Sequence, residues 1–136
     1  MIDAVDKIIN DFKPELVLIP EPDSFNQDHR TISNAAITAM RPNGATGKYF
    51  VPKVAIYEEI SDEWSINQNN QTRDLYVKLD LDDIDRKCKA MKEHVSQDRP
   101  IPSERSIEAI KALSVVRGSQ IAEKYAESFK IRRWVL

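Results

Sequence analysis

Residues 14–20 read Pro14-Glu15-Leu16-Val17-Leu18-Ile19-Pro20, and after a short link the chain continues Asn26-Gln27-Asp28-His29-Arg30. Leu16 to Ile19 is an unbroken apolar run between prolines, which predicts a short strand buried on both faces of a parallel sheet. Asn26 to Asp28 offer side-chain caps for a helix reaching about Arg41, with Ile32, Ala35, Ala36, Ala39 and Met40 along one side. The short side chains predict close packing. Upstream, Ile2, Val5, Ile8, Ile9 and Phe12 recur at helical spacing, and Pro14 stands just beyond the end of that helix.

Downstream, Pro42-Asn43-Gly44 opens a loop that reaches Pro52, and Val54-Ala55-Ile56-Tyr57 reads as a second strand. Residues 58–73 are mostly polar. Trp64 is their large apolar group, and the run Asn67-Gln68-Asn69-Asn70-Gln71 cannot build a core. Leu75, Val77 and Leu79 alternate with Tyr76 and Lys78 as a half-buried strand. Asp82 or Asp83 is expected to cap a helix carrying Ile84, Cys88, Met91 and Val95. Pro100 and Pro102 precede a long helix expected over 106–129, lined by Ile107, Ile110, Leu113, Ile121, Ala122 and Tyr125. Ile131-Arg132-Arg133-Trp134-Val135 reads as a closing strand.

The order α β α β β α α β predicts an α/β fold, partial and Rossmann-like, with a mainly parallel sheet and flanking helices. A helix leading directly into a buried strand is the second half of a βαβ unit, so the sheet is expected to lack its first βα units. Without an internal repeat or linker, residues 1–136 are expected to form one piece of a single domain.

Composition narrows the function. The chain is 41% hydrophobic and 31% charged with a net charge of -2, which suits a globular domain and disfavours nucleic acid as a partner. No apolar run approaches a membrane span. The lone Cys88 cannot form an internal disulfide and no secretory leader is evident, so a cytoplasmic setting is expected. Three scattered glycines exclude a dinucleotide fingerprint or a phosphate-binding glycine loop within this chain. With His29, His94 and one cysteine, a zinc site built from four His and Cys ligands is excluded too.

The strand-to-helix junction at Asn26–Arg30 lies at the carboxyl edge of the sheet, where α/β proteins place their sites. The helix dipole stabilises Asp28 and disfavours a cationic His29, leaving a neutral imidazole able to bind metal, with Asp28 or another carboxylate fixing its tautomer. The same residues also suit a plain cap, a dipole partner and a surface imidazole. His94 suits the end of a Lys-rich helix, and Cys88 suits a core stripe. Asp80, Asp82, Asp83 and Asp85 lack the glycine and distal glutamate of a calcium loop and read as capping. Arginines Arg99, Arg105 and Arg117 can clamp a carboxylate or phosphate, or pair within the fold.

Taken in order, these segments resemble the LmbE-like, or PIG-L, family of zinc-dependent de-N-acetylases. The resemblance covers nearly the whole chain, through the residues quoted above, Tyr57-Glu58 with Ser61 and Glu63-Trp64, Leu75-Tyr76-Val77, Arg105-Ser106-Ile107-Glu108-Ala109-Ile110, Arg117-Gly118-Ser119-Gln120 and Ala126-Glu127-Ser128-Phe129. It implies that residues 1–136 are the carboxyl-terminal part of such a domain. It also implies that His29 is a zinc ligand and that Asp28 belongs to the polar relay around the metal. Asn26 stands where the family motif begins with His, and an amide there would donate to a tetrahedral oxyanion. Arg30, Glu58, Arg105 and Arg117 are implied contacts to the hydroxyls or phosphates of an amino-sugar substrate, such as an N-acetylglucosamine derivative. Pro100-Ile101-Pro102 departs from the family by lacking a His between the prolines. The family's other metal motif, with its His, its Asp ligand and its general-base Asp, has no counterpart in this sequence. The resemblance therefore implies one zinc ligand, an activity that needs a complementary half, and, as the alternative, an inert fragment that self-associates or binds a partner chain.

Overall fold

The computed structural model describes residues 1–60 and 72–136. Its elements run α1 (Ile2–Phe12), β1 (Leu16–Ile19), α2 (Gln27–Ala39), β2 (Lys53–Tyr57), β3 (Leu75–Leu79), α3 (Leu81–Glu93), α4 (Ile107–Ser119) and β4 (Tyr125–Trp134). The fold is mixed α/β, and the described residues form four helices and a four-stranded sheet in the order β1-β2-β4-β3, a partial Rossmann-like arrangement. The polar stretch around Trp64 and Asn67–Gln71, with Ser61 and Glu63, lies outside the described residues. Among the described residues no helix is long and apolar enough to cross a membrane.

The chain forms two compact units, Met1–Thr72 with Lys130–Leu136, and Arg73–Phe129. In the first, α1 ends as its periodicity predicts: Lys13 turns left-handed (φ 49°) and donates its N–H back to Ile9 at 2.8 Å. Ile9, Ile19, Ala36, Met40, Val51, Val54 and Ile56 form the core, and each large aliphatic side chain so buried contributes about 1.5–3 kcal/mol. Ala35 and Ala36 are buried on α2, as their small size predicts. β1 and β2 are parallel, with Ile19 opposite Ile56.

One expectation about β1 is corrected. Leu16 and Leu18 are 44% and 45% exposed, whereas Ile19 is buried and Val17 packs on the core. β1 is an edge strand with one face covered, and four consecutive apolar residues do not reveal which face that is. Arg133, from β4, donates 2.9 Å hydrogen bonds to the carbonyls of Val51 and Met40 and lies 4.7 Å over the Phe50 ring. It pins the loop that enters β2.

In the second unit, β3 and β4 are antiparallel, and Ile84, Cys88 and Ile110 form the core with Leu79, Met91, Ile107 and Tyr125 packed around it. Cys88 is a buried free thiol. The cap of α3 is Asp80 rather than Asp82 or Asp83: its side chain accepts from the Asp83 N–H while Asp83 accepts from the Asp80 N–H, a reciprocal capping box. Val95, expected on this helix, lies beyond its end at Glu93 and is exposed.

The expected helix over 106–129 is also corrected. α4 stops at Ser119, Ala122 takes a left-handed conformation (φ 58°), and Tyr125 begins a strand that runs to Trp134 and so takes in all but Val135 of the shorter one expected at 131–135. A methyl group on Gly118 would lie 2.7 Å from the backbone of Glu123, Lys124 and Tyr125, so the chain folds back hard against the end of α4.

Candidate functional site

The predicted motif occupies the junction between β1 and α2. Asn26 is extended (φ -75°, ψ 119°) and its Oδ1 accepts the Asp28 N–H at 2.9 Å, the geometry of a helix cap. Its amide nitrogen is not consumed by that bond and keeps its donor capacity. Ser24 is buried, and its Oγ accepts the Asn26 N–H at 3.1 Å. Arg30 Nη1 donates to the carbonyls of Ser24 and Phe25 at 2.6 and 2.7 Å. Ser33, fully buried, donates to the Pro20 carbonyl at 2.9 Å and so ties α2 to the end of β1. Together these bonds fix where the first turn of α2 begins, and Asp28 stands exposed on that turn, at the positive end of the helix.

His29 follows on the same turn. Its Nδ1 lies 2.6 Å from Glu59 Oε2, with the His29 side chain 32% exposed and that of Glu59 12% exposed. Nδ1 itself is shielded from solvent and completes no hydrogen bond of ordinary geometry, so the two side chains are in close polar contact without an aligned N–H···O bond. Glu59 reaches His29 because β1 and β2 run parallel and in register: the residues that leave Ile56 are beside those that leave Ile19.

The first unit therefore brings Asn26, Asp28, His29, Arg30 and Glu58 into the segments that leave β1 and β2, with Glu58 half-buried. Glu59 is not among the residues expected from the sequence. The available signal is its place just after a strand predicted to be a parallel neighbour, not any spacing from His29. Arg105 and Arg117 belong to the second unit. Arg105 donates to the Gln97 side-chain carbonyl and lies 3.8 Å from Glu104, and Arg117 donates to Gln120 Oε1 at 3.3 Å in the last turn of α4. An open cavity of about 520 Å³ in the second unit, lined in part by Lys78, Asp80, Glu123 and Tyr125, contains none of the expected site residues.

As a donor, the His29 imidazole suits a metal, since a carboxylate beside one ring nitrogen leaves the other available. As a set, the described residues fall short: no group of three or more His, Cys, Asp or Glu is placed to hold a metal ion. A catalytic zinc takes three protein ligands.

No protein-family model and no curated protein matches the chain. Solved structures do. A conserved protein of Thermus thermophilus superposes with a TM-score of 0.73 and 22% identity, covering 98% of this chain and 58% of its own. The N,N'-diacetylchitobiose deacetylase of Pyrococcus horikoshii, complexed with an inhibitor, gives 0.67 and 23%, covering 96% and 50%. The 4-carboxy-2-hydroxymuconate hydratase of Pseudomonas putida gives 0.68 and 20%, covering 99% and 59%. This chain thus spans 50–59% of the length of these proteins. A deacetylase and a hydratase on one fold show that the architecture does not choose the chemistry. At these identities the likeness is one of fold, and the fold of this chain is the α/β fold that a chitobiose deacetylase and a hydratase share.

Proposed function

We propose that this chain contributes to the active site of a zinc-dependent de-N-acetylase of the LmbE-like kind, a hydrolase that removes the N-acetyl group from an amino sugar or its conjugate. The observation that carries the reading is the His29 imidazole on the first turn of α2, beside the ends of two parallel strands and backed by a carboxylate. The fold likeness to a diacetylchitobiose deacetylase supports it. His29 is assigned as one zinc ligand, and zinc, when bound, supplies Lewis acidity toward the acetamide carbonyl. The other ligands lie outside the described set, so the roles given to this chain are binding and orientation. Asn26 offers its amide N–H to developing negative charge on the carbonyl oxygen, and Asp28 sets the polarity of the helix start. Arg30 holds the loop that carries Asn26. Glu58, and on the resemblance alone Arg105 and Arg117, are assigned to substrate hydroxyls or phosphates. A cytoplasmic setting belongs to the same proposal.

Calorimetric titration of the full chain with zinc tests the assignment. Wild type is expected to bind, His29→Ala to lose that binding, and equal binding by both would overturn the role of His29. Acetate release from N,N'-diacetylchitobiose is expected to be absent for the chain alone with zinc, because one described donor does not make a catalytic centre.

A second reading has its own observation. Ile8 and Phe12 on α1 are 65% and 82% exposed, alongside the exposed Leu16 and Leu18 of β1, which favours a chain that self-associates or binds a partner without activity of its own.

A further inference from the structure

We infer that Glu59 is the positioning residue of His29, holding the ring proton on Nδ1 and so presenting Nε2 with its lone pair. The inference deepens the proposed site and rests on that reading only for its consequence toward zinc. A neutral imidazole has one N–H and one lone pair, and which nitrogen carries which is decided by the neighbour of each. At Nδ1 that neighbour is Oε2 of Glu59, at 2.6 Å. A lone pair facing a carboxylate oxygen at that distance is repelled, whereas an N–H is attracted, and this sign holds even where the approach is not aligned. Shielding sharpens the choice, because Nδ1 is out of contact with solvent and the Glu59 side chain is 12% exposed, so water does little to damp the interaction. Since Nδ1 is shielded, the exposed third of the His29 side chain lies elsewhere on the residue.

The placement follows from the backbone. Glu59 follows β2 by two residues, His29 sits on the first turn of α2, the helix that follows β1, and the parallel register of Ile19 with Ile56 sets the two strand ends side by side.

The chain has two histidines, His29 and His94, and the second is exposed at the end of α3. His94 therefore serves as an internal reference, since a solvated imidazole favours the proton on Nε2. The test is long-range nitrogen-edited NMR of the full chain with labelled histidine, at a pH where both rings are neutral. The expected result is an Nδ1–H tautomer for His29 and an Nε2–H tautomer for His94. Glu59→Leu is expected to return His29 to the His94 pattern, and Glu59→Gln, which keeps an acceptor oxygen, to retain the Nδ1–H form. A wild-type His29 that already resembles His94, or a Glu59→Leu spectrum unchanged at His29, would overturn the inference. Unchanged amide signals in Glu59→Gln verify that the comparison concerns a folded chain. Zinc titration followed at the same ring signals separates the two claims. In wild type, zinc is expected to move the His29 ring, with binding weakened about 10- to 100-fold in Glu59→Leu. If the tautomer is as inferred but zinc leaves His29 unmoved, the role of Glu59 stands and the zinc reading falls.

Discussion

Gly118→Ala adds one methyl group where α4 meets the chain returning into β4. Its carbon would sit 2.7 Å from Glu123 O, Lys124 C and Tyr125 N, all of them backbone atoms that no rotamer change can move. Restoring ordinary contact requires the 123–125 segment to retreat by roughly 0.5 Å or more, into the range where overpacking costs about 1–3 kcal/mol. The Glu123 N–H that donates to the Gly118 carbonyl at 2.9 Å lies in the path of that shift, and weakening it adds about 1 kcal/mol. Alanine regains about 1 kcal/mol through helix propensity. The expected net loss is about 2 kcal/mol, a fall in Tm of roughly 7 °C for a chain of this size. Urea unfolding followed by circular dichroism measures it, with the other two glycines as controls. Gly44 faces open space, so Gly44→Ala is expected to be neutral within about 0.5 kcal/mol. Gly47 also faces open space but has φ +67°, so Gly47→Ala is expected to lose about 1 kcal/mol through strain alone. A Gly118→Ala chain as stable as wild type would refute the close return of the chain on α4.

Three further outcomes are expected. Asn26→Ala removes the cap of α2 and is expected to cost about 1 kcal/mol, with Asn26→Asp close to wild type, as read by urea midpoints. Arg133→Lys cannot span both carbonyls and the Phe50 face, and a loss of about 1–2 kcal/mol is expected by the same measurement. Ile8→Ser with Phe12→Ser is expected to reduce self-association in light scattering while changing stability by less than about 1 kcal/mol, since both side chains are largely exposed. A wild-type chain that is already a clean monomer would count against the associating surface.

How far the sequence carries differs between the halves of the chain. α1, β1 and α2 are legible because Ile2, Val5, Ile9 and Phe12 keep helical spacing, prolines bracket Leu16 to Ile19, and Asn26 is a strong cap. The stretch after Gly118 is not, because Ile121, Ala122 and Tyr125 satisfy a helical spacing as readily as they lead into a strand. The break depends on a close approach of backbone to Gly118, which periodicity does not encode. Asp80 is hard to single out as the cap of α3 because three nearby aspartates offer the same chemistry, and only the reciprocal bond with Asp83 distinguishes it. At the candidate site the pattern is similar. His29 is legible from its local junction, whereas Glu59 is brought to it by the pairing of β1 with β2, a long-range fact.

The continuous strand β4 changes from one unit to the other between Phe129 and Lys130. The second unit is an uninterrupted stretch of chain, but the first is completed only by residues 130–136. During synthesis the second unit has all of its residues before the first does, although the first began earlier. The carbonyls of Met40 and Val51 must wait for Arg133. Such distant closure slows folding and prolongs exposure of the incomplete sheet. A tag or nick just after residue 129 would therefore act on the amino-terminal unit, where His29 and Glu59 stand, and leave the nearer unit whole.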